Sequence, residues 1–257
     1  MKNKLKGVIL AGGNGSRLYP MTKILNKSLL PVYDKPMIYY PIQTLKQLGC
    51  EEIMIISGRK HAGQIMSLLG AGFSPEHDEN PGTGDKLKSE TDVALTYRVQ
   101  ERPGGIAQAL GICRSFAGDS NIAVCLGDNI FEDNFSNVEF NGGSHIFLKP
   151  VPDPERFGIA EVTFNEVVNI EEKPKNPKSD LCVTGLYIYD NQVWNIIDNL
   201  KPSGRGELEI TDVNKEYLKR NNMTYTKLDG FWCDAGTPDS LAQATQLIIN
   251  KLQNDDI

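Results

Sequence analysis

The chain has 257 residues, enough to bury a substantial core as one α/β domain or as two small ones. With 40% hydrophobic and 23% charged residues it has ordinary globular proportions, and disorder is not expected away from the polar C-terminal end. A formal net charge of −6 argues against general attraction to nucleic acid or to an anionic membrane, so any phosphate site must be locally basic.

The first apolar run, Gly7-Val8-Ile9-Leu10-Ala11, reads as a buried strand feeding the glycine-rich loop Gly12-Gly13-Asn14-Gly15-Ser16-Arg17. Basic residues precede the run, but it is too short for the apolar region of a signal peptide. Residues 35–48 carry Met37, Ile38, Pro41, Leu45 and Leu48 near helical spacing, with Gly49 as the stop. A second buried strand is expected over 53–57 and a helix over 61–69. Residues 72–92, rich in Gly, Pro, Ser and acidic side chains, have no periodic apolar pattern and read as a long loop. A short strand over 95–99, a helix over 105–116 and a strand over 121–126 follow, the last closing in Gly127-Asp128-Asn129.

This alternation predicts a Rossmann-like α/β fold: a mixed, mostly parallel sheet with helices on both faces, binding ligands beyond the carboxyl ends of its strands. The second half changes texture. Short β-rich runs at 145–151, 159–162, 167–171 and 183–189 predict an elaboration of the same sheet. Helices over 207–220 and 237–252 flank the apolar stretch 230–234. No stretch approaches the roughly 20 apolar residues of a membrane span. The five cysteines, Cys50, Cys113, Cys125, Cys182 and Cys233, include no C-x-x-C pair, and Cys113, Cys125 and Cys182 lie in apolar runs. Buried reduced thiols and a cytoplasmic location are expected.

The glycine loop is the strongest local signal. It is not a Walker A loop, because no Gly-Lys-Ser/Thr follows, and Leu18 stands where a dinucleotide fingerprint needs Gly or Ala. That departure argues against an NAD-dependent oxidoreductase. Glycines let backbone N–H groups approach phosphate oxygens closely, and Arg17, Lys23 and Lys27 supply cations with no acid among them. A tight turn with a solvated basic face is the bland alternative.

Residues Leu10 to Pro20, with Lys27-Ser28-Leu29-Leu30-Pro31-Val32, resemble the N-terminal motif of the sugar-phosphate nucleotidyltransferases. Further segments follow in that family's order: Gly104-Gly105-Ile106-Ala107-Gln108-Ala109, Leu126-Gly127-Asp128-Asn129, Asp153-Pro154-Glu155-Arg156-Phe157-Gly158, Glu171-Glu172-Lys173-Pro174, Val183-Thr184-Gly185-Leu186-Tyr187, Arg205 to Asp212 and Asp234-Ala235-Gly236-Thr237. The resemblance runs from about residue 6 to residue 250. It implies the nucleotide-diphospho-sugar transferase fold as one domain over 1–257, with a nucleotide-binding half over about 6–135 and a sugar-binding half over about 136–257.

The thymidylyl-transferring branch of the family is the nearest in pattern. Its substrates would be dTTP, with UTP as the alternative, and glucose 1-phosphate, and pyrophosphate would be released. On that resemblance Arg17 and Lys27 hold the β- and γ-phosphates, a task suited to cations on a loop. Leu10, Gly12, Gly13, Gly15, Ser16, Gln100, Pro103 and Gly105 surround the nucleotide. A side-chain amide at Gln100 matches the N3–H and carbonyl edge shared by thymine and uracil. Asp128 and Asp234 bind Mg²⁺, a hard ion that accepts one or two carboxylates plus substrate phosphates. Asn129, Gly158, Glu172, Lys173, Val183 and Tyr187 take the sugar phosphate.

Glu172 and Lys173 adjoin, so on a regular strand they would face opposite ways. If both reach one ligand, the strand must end or bend there, and Pro174 is a suitable cause. Phe157 stands where many relatives have Tyr, which removes a hydroxyl from the sugar pocket. A homo-oligomer is expected, its mode of assembly left open. The resemblance lacks the additional C-terminal helices of longer members, so feedback control through them is not expected. A non-catalytic nucleotide-binding regulator on the same fold is the remaining alternative.

Overall fold

A computed structural model describes residues 4–70 and 93–255; the long loop expected over 72–92 lies outside them. The first half contains β1 (Leu5–Ala11), the hairpin β2 (Pro31–Val32) and β3 (Lys35–Pro36), α1 (Tyr39–Gln47), β4 (Glu52–Gly58), α2 (Ala62–Leu69), β5 (Ala94–Gln100), α3 (Ile106–Gly111), α4 (Arg114–Ala117), β6 (Asn121–Leu126) and β7 (Asn129–Phe131). The second half contains β8 (Ser144–Pro150), β9 (Gly158–Thr163), β10 (Glu166–Glu172), β11 (Leu181–Tyr189), α5 (Val193–Asn199), α6 (Ile210–Lys219), β12 (Met223–Lys227), β13 (Trp232–Asp234) and α7 (Pro238–Asp255).

One nine-stranded sheet runs through both halves, in the order β10-β9-β11-β6-β1-β4-β5, with β8 pairing both β11 and β12. From β6 through β1 and β4 to β5 the pairing is parallel, and β11 then joins β6 antiparallel. The β-rich second half therefore extends the same sheet, as its patterning implied. Strand order reverses at β1, which has β4 on one side and β6 on the other. That reversal opens a crevice at the carboxyl ends of β1 and β6, where an open α/β sheet takes its ligands.

Strand alternation assigns the two faces. Val8 and Leu10 join a core with Ala107, Leu110, Ile197, Val213 and Tyr217, covered by α3 to α6. Ile9 and Ala11 face the opposite side, with Ile42 and Leu45 of α1 and Ile65 of α2. Buried side chains such as these, at roughly 1.5–3 kcal/mol each, supply the main drive for layering. The helix α7 lies outside both layers and packs with β2 and β13 around Val32, Cys233, Ala244 and Ile248.

Several boundaries differ from those read in the sequence. The helix expected over 35–48 starts only at Tyr39, because Lys35–Pro36 is taken into the hairpin with Pro31–Val32. The helix expected over 105–116 is divided in two after Gly111. Glycine is a poor helix residue, and Gly111 closes the first of the two segments. The helix expected from 207 begins at Ile210, since Leu208 exchanges backbone hydrogen bonds with Gly104 and Ala107 (2.8 and 3.1 Å). All five cysteines are free and buried.

Candidate active site

The turn after β1 is built to expose its backbone. Gly15 adopts a left-handed conformation (φ 61°), and a Cβ there would lie 2.7 Å from Thr22 Cγ2, so a side chain is strained and crowded at once. Thr22 Oγ1 donates to the Gly15 carbonyl at 2.7 Å and holds the turn closed. Asn26 performs a second tie: its Nδ2 donates to Ala11 O at 3.0 Å, and its Oδ1 accepts from Ser28 N at 2.8 Å. This caps the short 3₁₀ turn Lys27–Leu29 and aims Lys27 back across the end of β1. Lys27 Cε and Nζ lie 3.4 and 3.5 Å from where a Cβ on Gly13 would stand, so the lysine packs against that glycine.

Two aspartates 106 positions apart meet here. The strands β7 and β13 pair antiparallel with Asn129 opposite Asp234, and Ala235 N donates to Asp128 O at 2.9 Å. Lys27 Nζ pairs with Asp128 Oδ2, and Arg17 reaches Asp234 at 3.6 Å. Burial pushes Asp128 toward protonation, but the Lys27 charge and hydrogen bond, with further bonds from Asp234 and Asn129, hold it below its usual range. Burial, and then the Asp128 charge, push Asp234 up to about 6 against the pull of Lys27 and Arg17.

Asn129, 2% exposed, fixes this corner. Its Oδ1 accepts from Gly185 N at 2.9 Å and from Trp232 Nε1 at 2.7 Å, while its Nδ2 donates to Asp128 Oδ1 at 3.3 Å. A Cβ on Gly185 would come within 2.5 Å of that Oδ1, so the glycine is what admits the amide.

The fit to a divalent ion follows from the donors. Among the described residues no group of three or more His, Cys, Asp or Glu side chains could hold a metal. Two adjacent carboxylates, one of them destabilised in its charged form by the other, suit a hard cation that completes its coordination with substrate phosphates and water. The Asp128–Asp234 pair fits that requirement.

From this corner a cleft of about 710 Å³ extends in two directions. Leu10, Gly12, Gln100, Pro103, Gly105 and Ile106 line one end. Gly105 (φ 96°) starts α3, and a Cβ there would strike Leu208 O at 2.4 Å. Gly158, Glu172, Lys173, Val183 and Tyr187 line the other end, where the Glu172 carboxylate is held at 2.6 Å by Thr211 Oγ1 and at 3.3 Å by Arg205. β10 ends at Glu172, and Lys173 turns into a left-handed conformation (φ 46°), its N–H bonding Phe157 O at 2.9 Å. That turn at Lys173 itself brings both side chains to one cleft, where the sequence offered Pro174 as the cause.

The site residues named from the sequence line this cleft except Gly15, whose part is the turn conformation, and the loop cation Lys23. Gly13, Ser16, Arg17, Lys27, Asp128, Asn129 and Asp234 lie along its middle. Residues missed by sequence reasoning are Arg205, Thr211 and Trp232. Arg205 and Thr211 sat within a recognised motif without an assigned task, and Trp232 read as apolar, although its indole N–H bonds Asn129. Phe157 packs edge-on against Trp232 (5.4 Å), with the Arg156 guanidinium over its ring. At that position the wall is therefore aromatic rather than hydrogen-bonding.

A Rossmann-like sheet with cations and paired carboxylates at its switch point defines a phosphate-handling transferase. The nucleotidyl transferase family matches residues 6–251, and the chain belongs to that family. A glucose-1-phosphate thymidylyltransferase of Neisseria meningitidis is 42% identical over 97% of this chain and 85% of its own length. One from Mycobacterium tuberculosis is 39% identical, over 95% and 82% respectively. The fold matches with a TM-score of 0.84 a Bacillus anthracis structure assigned as a glucose-1-phosphate thymidylyltransferase in complex with sucrose, 48% identical and covering 95% of this chain and 94% of that one. A UDP-glucose pyrophosphorylase complexed with UDP-glucose shares the fold (TM-score 0.83) at 23% identity, covering 98% of this chain and 100% of that one.

Proposed function

We propose that this chain joins glucose 1-phosphate to dTTP, yielding dTDP-glucose and pyrophosphate, with Mg²⁺ held by Asp128 and Asp234. The observation that carries the reading is the meeting of Lys27, Arg17, Asp128 and Asp234 in one cleft, between an amide-lined end and a carboxylate-and-lysine end. The relatives described above add the substrates by name.

In this reading an anionic oxygen of the sugar phosphate attacks the α-phosphorus in line. A new P–O bond forms as the bond to the bridging oxygen breaks, and pyrophosphate leaves with that electron pair. The attacking oxygen already carries its charge near neutral pH, so no general base is required. Arg17 and Lys27 neutralise the triphosphate and the departing pyrophosphate. Lys173 neutralises the sugar phosphate, and Glu172, oriented by Thr211 and Arg205, accepts from sugar hydroxyls. The bound Mg²⁺ supplies further charge neutralisation at the reacting phosphates. Catalysis is then the positioning of two anions that otherwise repel.

The division into a nucleotide-binding half and a sugar-binding half belongs to the same proposal, supported by the residues at the two ends of the cleft. A cytoplasmic location and a homo-oligomeric state belong to the same proposal, the first supported by five free, buried thiols. No helix among the described residues is long and apolar enough to cross a membrane.

The test is pyrophosphate release from a matrix of dTTP, UTP, dCTP, dATP and dGTP against several sugar 1-phosphates, with Mg²⁺ and with EDTA. Fastest turnover of dTTP with glucose 1-phosphate, lost on chelation, is expected. Thymine and uracil differ by one methyl, a discrimination of about 1–3 kcal/mol, so measurable UTP use is compatible with the proposal. No pyrophosphate from any pair, or a purine as the best substrate, refutes it.

A further inference from the structure

Gln100 lies at the amide-lined end of the cleft and is 8% exposed. Its Nε2 donates to Gln108 Oε1 of α3 at 2.6 Å. Its Oε1 stands 2.4 Å from where a Cβ on Gly12 would be, so the carbonyl lodges against a bare Cα. On the far side, Gln108 Cγ and Cδ lie 3.0 and 3.2 Å from the Cβ position of Gly104. Two glycines thus make room for two hydrogen-bonded amides, and Gln108 meets Gln100 by its acceptor.

A carboxamide turned over by half a rotation keeps its shape and exchanges donor for acceptor. A solitary glutamine at the base end of the cleft could therefore present either pole. We infer that Gln108 is a positioning residue that holds the polarity of the Gln100 amide, so that the cleft selects pyrimidines carrying N3–H over one presenting a bare N3. Turning Gln100 over alone would set its carbonyl oxygen against the Gln108 carbonyl oxygen, with no proton between them, so the bond survives only if both amides turn together. In the observed arrangement the Gln100 oxygen remains to accept from N3–H, and its second amide proton remains for the adjacent base carbonyl. Thymine and uracil satisfy both; cytosine has no N3–H to give, and on its amino side it offers a donor in place of the carbonyl. The inference rests on the pyrimidine-triphosphate reading above and extends it to a residue outside the cleft lining.

Three variants of the full chain test it through kcat/KM for dTTP and dCTP at saturating glucose 1-phosphate and Mg²⁺. Q108L removes the acceptor, and its dTTP-to-dCTP ratio should fall on the order of tenfold or more, through the nucleotide KM, while the KM for glucose 1-phosphate stays within about twofold. Q108K replaces the acceptor by a donor and should lower the ratio further. Q108E keeps the acceptor and cannot reverse it, so its ratio should equal or exceed that of the unmodified chain. Retention of the original ratio in both Q108L and Q108K overturns the inference and leaves the substrate reading intact. If those two fail to fold by circular dichroism, Q108E decides alone, a ratio below the original overturning the assignment. An unmodified chain with no preference for dTTP over dCTP overturns the substrate reading and this inference together.

Discussion

Replacing Asn129 by leucine is the sharpest test of how the carboxylate corner is held. Asn129, the first residue of β7, ties that strand through one amide to β11 at Gly185 and to β13 at Trp232, and bonds the neighbouring Asp128 carboxylate. Leucine has nearly the same shape, so little cavity forms, and at 2% exposure water cannot replace the partner lost by Gly185. The buried backbone N–H of Gly185 is then stranded, at about 1–3 kcal/mol, while the indole N–H of the half-buried Trp232 loses a partner that water in the cleft replaces in part. Asn129→Asp separates the two tasks, since its carboxylate still accepts from both donors but sets a third negative charge beside Asp128 and Asp234. Urea unfolding followed by tryptophan fluorescence, combined with pyrophosphate release, reads both effects. Leucine should lose most stability, whereas aspartate should lose less stability but at least tenfold in turnover, about 1.4 kcal/mol of barrier. A leucine variant within about 1 kcal/mol of the original would refute the assigned hydrogen-bond role.

Three other outcomes follow from the structure. His145 lies between Thr224 and Thr226, which bond its two ring nitrogens at 2.8 and 2.9 Å, and burial lowers its pKa from 6.5 to about 4. The unfolded chain therefore binds a proton that the folded chain refuses, so stability is fully present above about pH 6.5 and is lost as pH falls toward 4, by up to about 3 kcal/mol. A His145→Gln variant should lack that component, and unfolding curves of equal pH slope for the two proteins would contradict it. Gly105→Ala should destabilise by more than Gly49→Ala. Both glycines have positive φ (96° and 85°), but a Cβ at Gly105 meets the Leu208 backbone at 2.4 Å, whereas nothing lies within 4 Å at Gly49. A melting temperature lowered equally in both would show that the Leu208 contact yields. Lys173→Ala should weaken use of the sugar phosphate at least tenfold more than triphosphate binding; isotope exchange and equilibrium binding separate the two, and equal losses would refute the assigned role.

The regular elements were largely legible because they depend on local periodicity. The run Asn121–Leu126 was bounded correctly, and Glu52–Gly58 and Ala94–Gln100 extend only one residue beyond the expected ends. Elements whose stability comes from partners were not. The strand Met223–Lys227 is polar and alternating, and exists because it pairs in parallel with Ser144–Pro150. The helix Val193–Asn199 is a seven-residue segment with three Asn or Asp residues, held by burying Val193, Trp194, Ile196 and Ile197.

At the site, the sequence by itself determined the chemical inventory: glycines in the first loop, isolated cations, and carboxylates at strand ends, in an order that resembles one enzyme family. Side-chain type and spacing are local properties, so they can be read without a fold. Only the tertiary structure decided which of these groups meet. Pairing of Asn129 with Asp234 across β7 and β13 sets two remote carboxylates beside Lys27, and the left-handed turn at Lys173 swings a neighbour of Glu172 into the same cleft. The Gln100–Gln108 contact is likewise invisible in one dimension, because hydrogen-bond polarity is a relation between two amides, settled when β5 and α3 come to rest against Gly12 and Gly104.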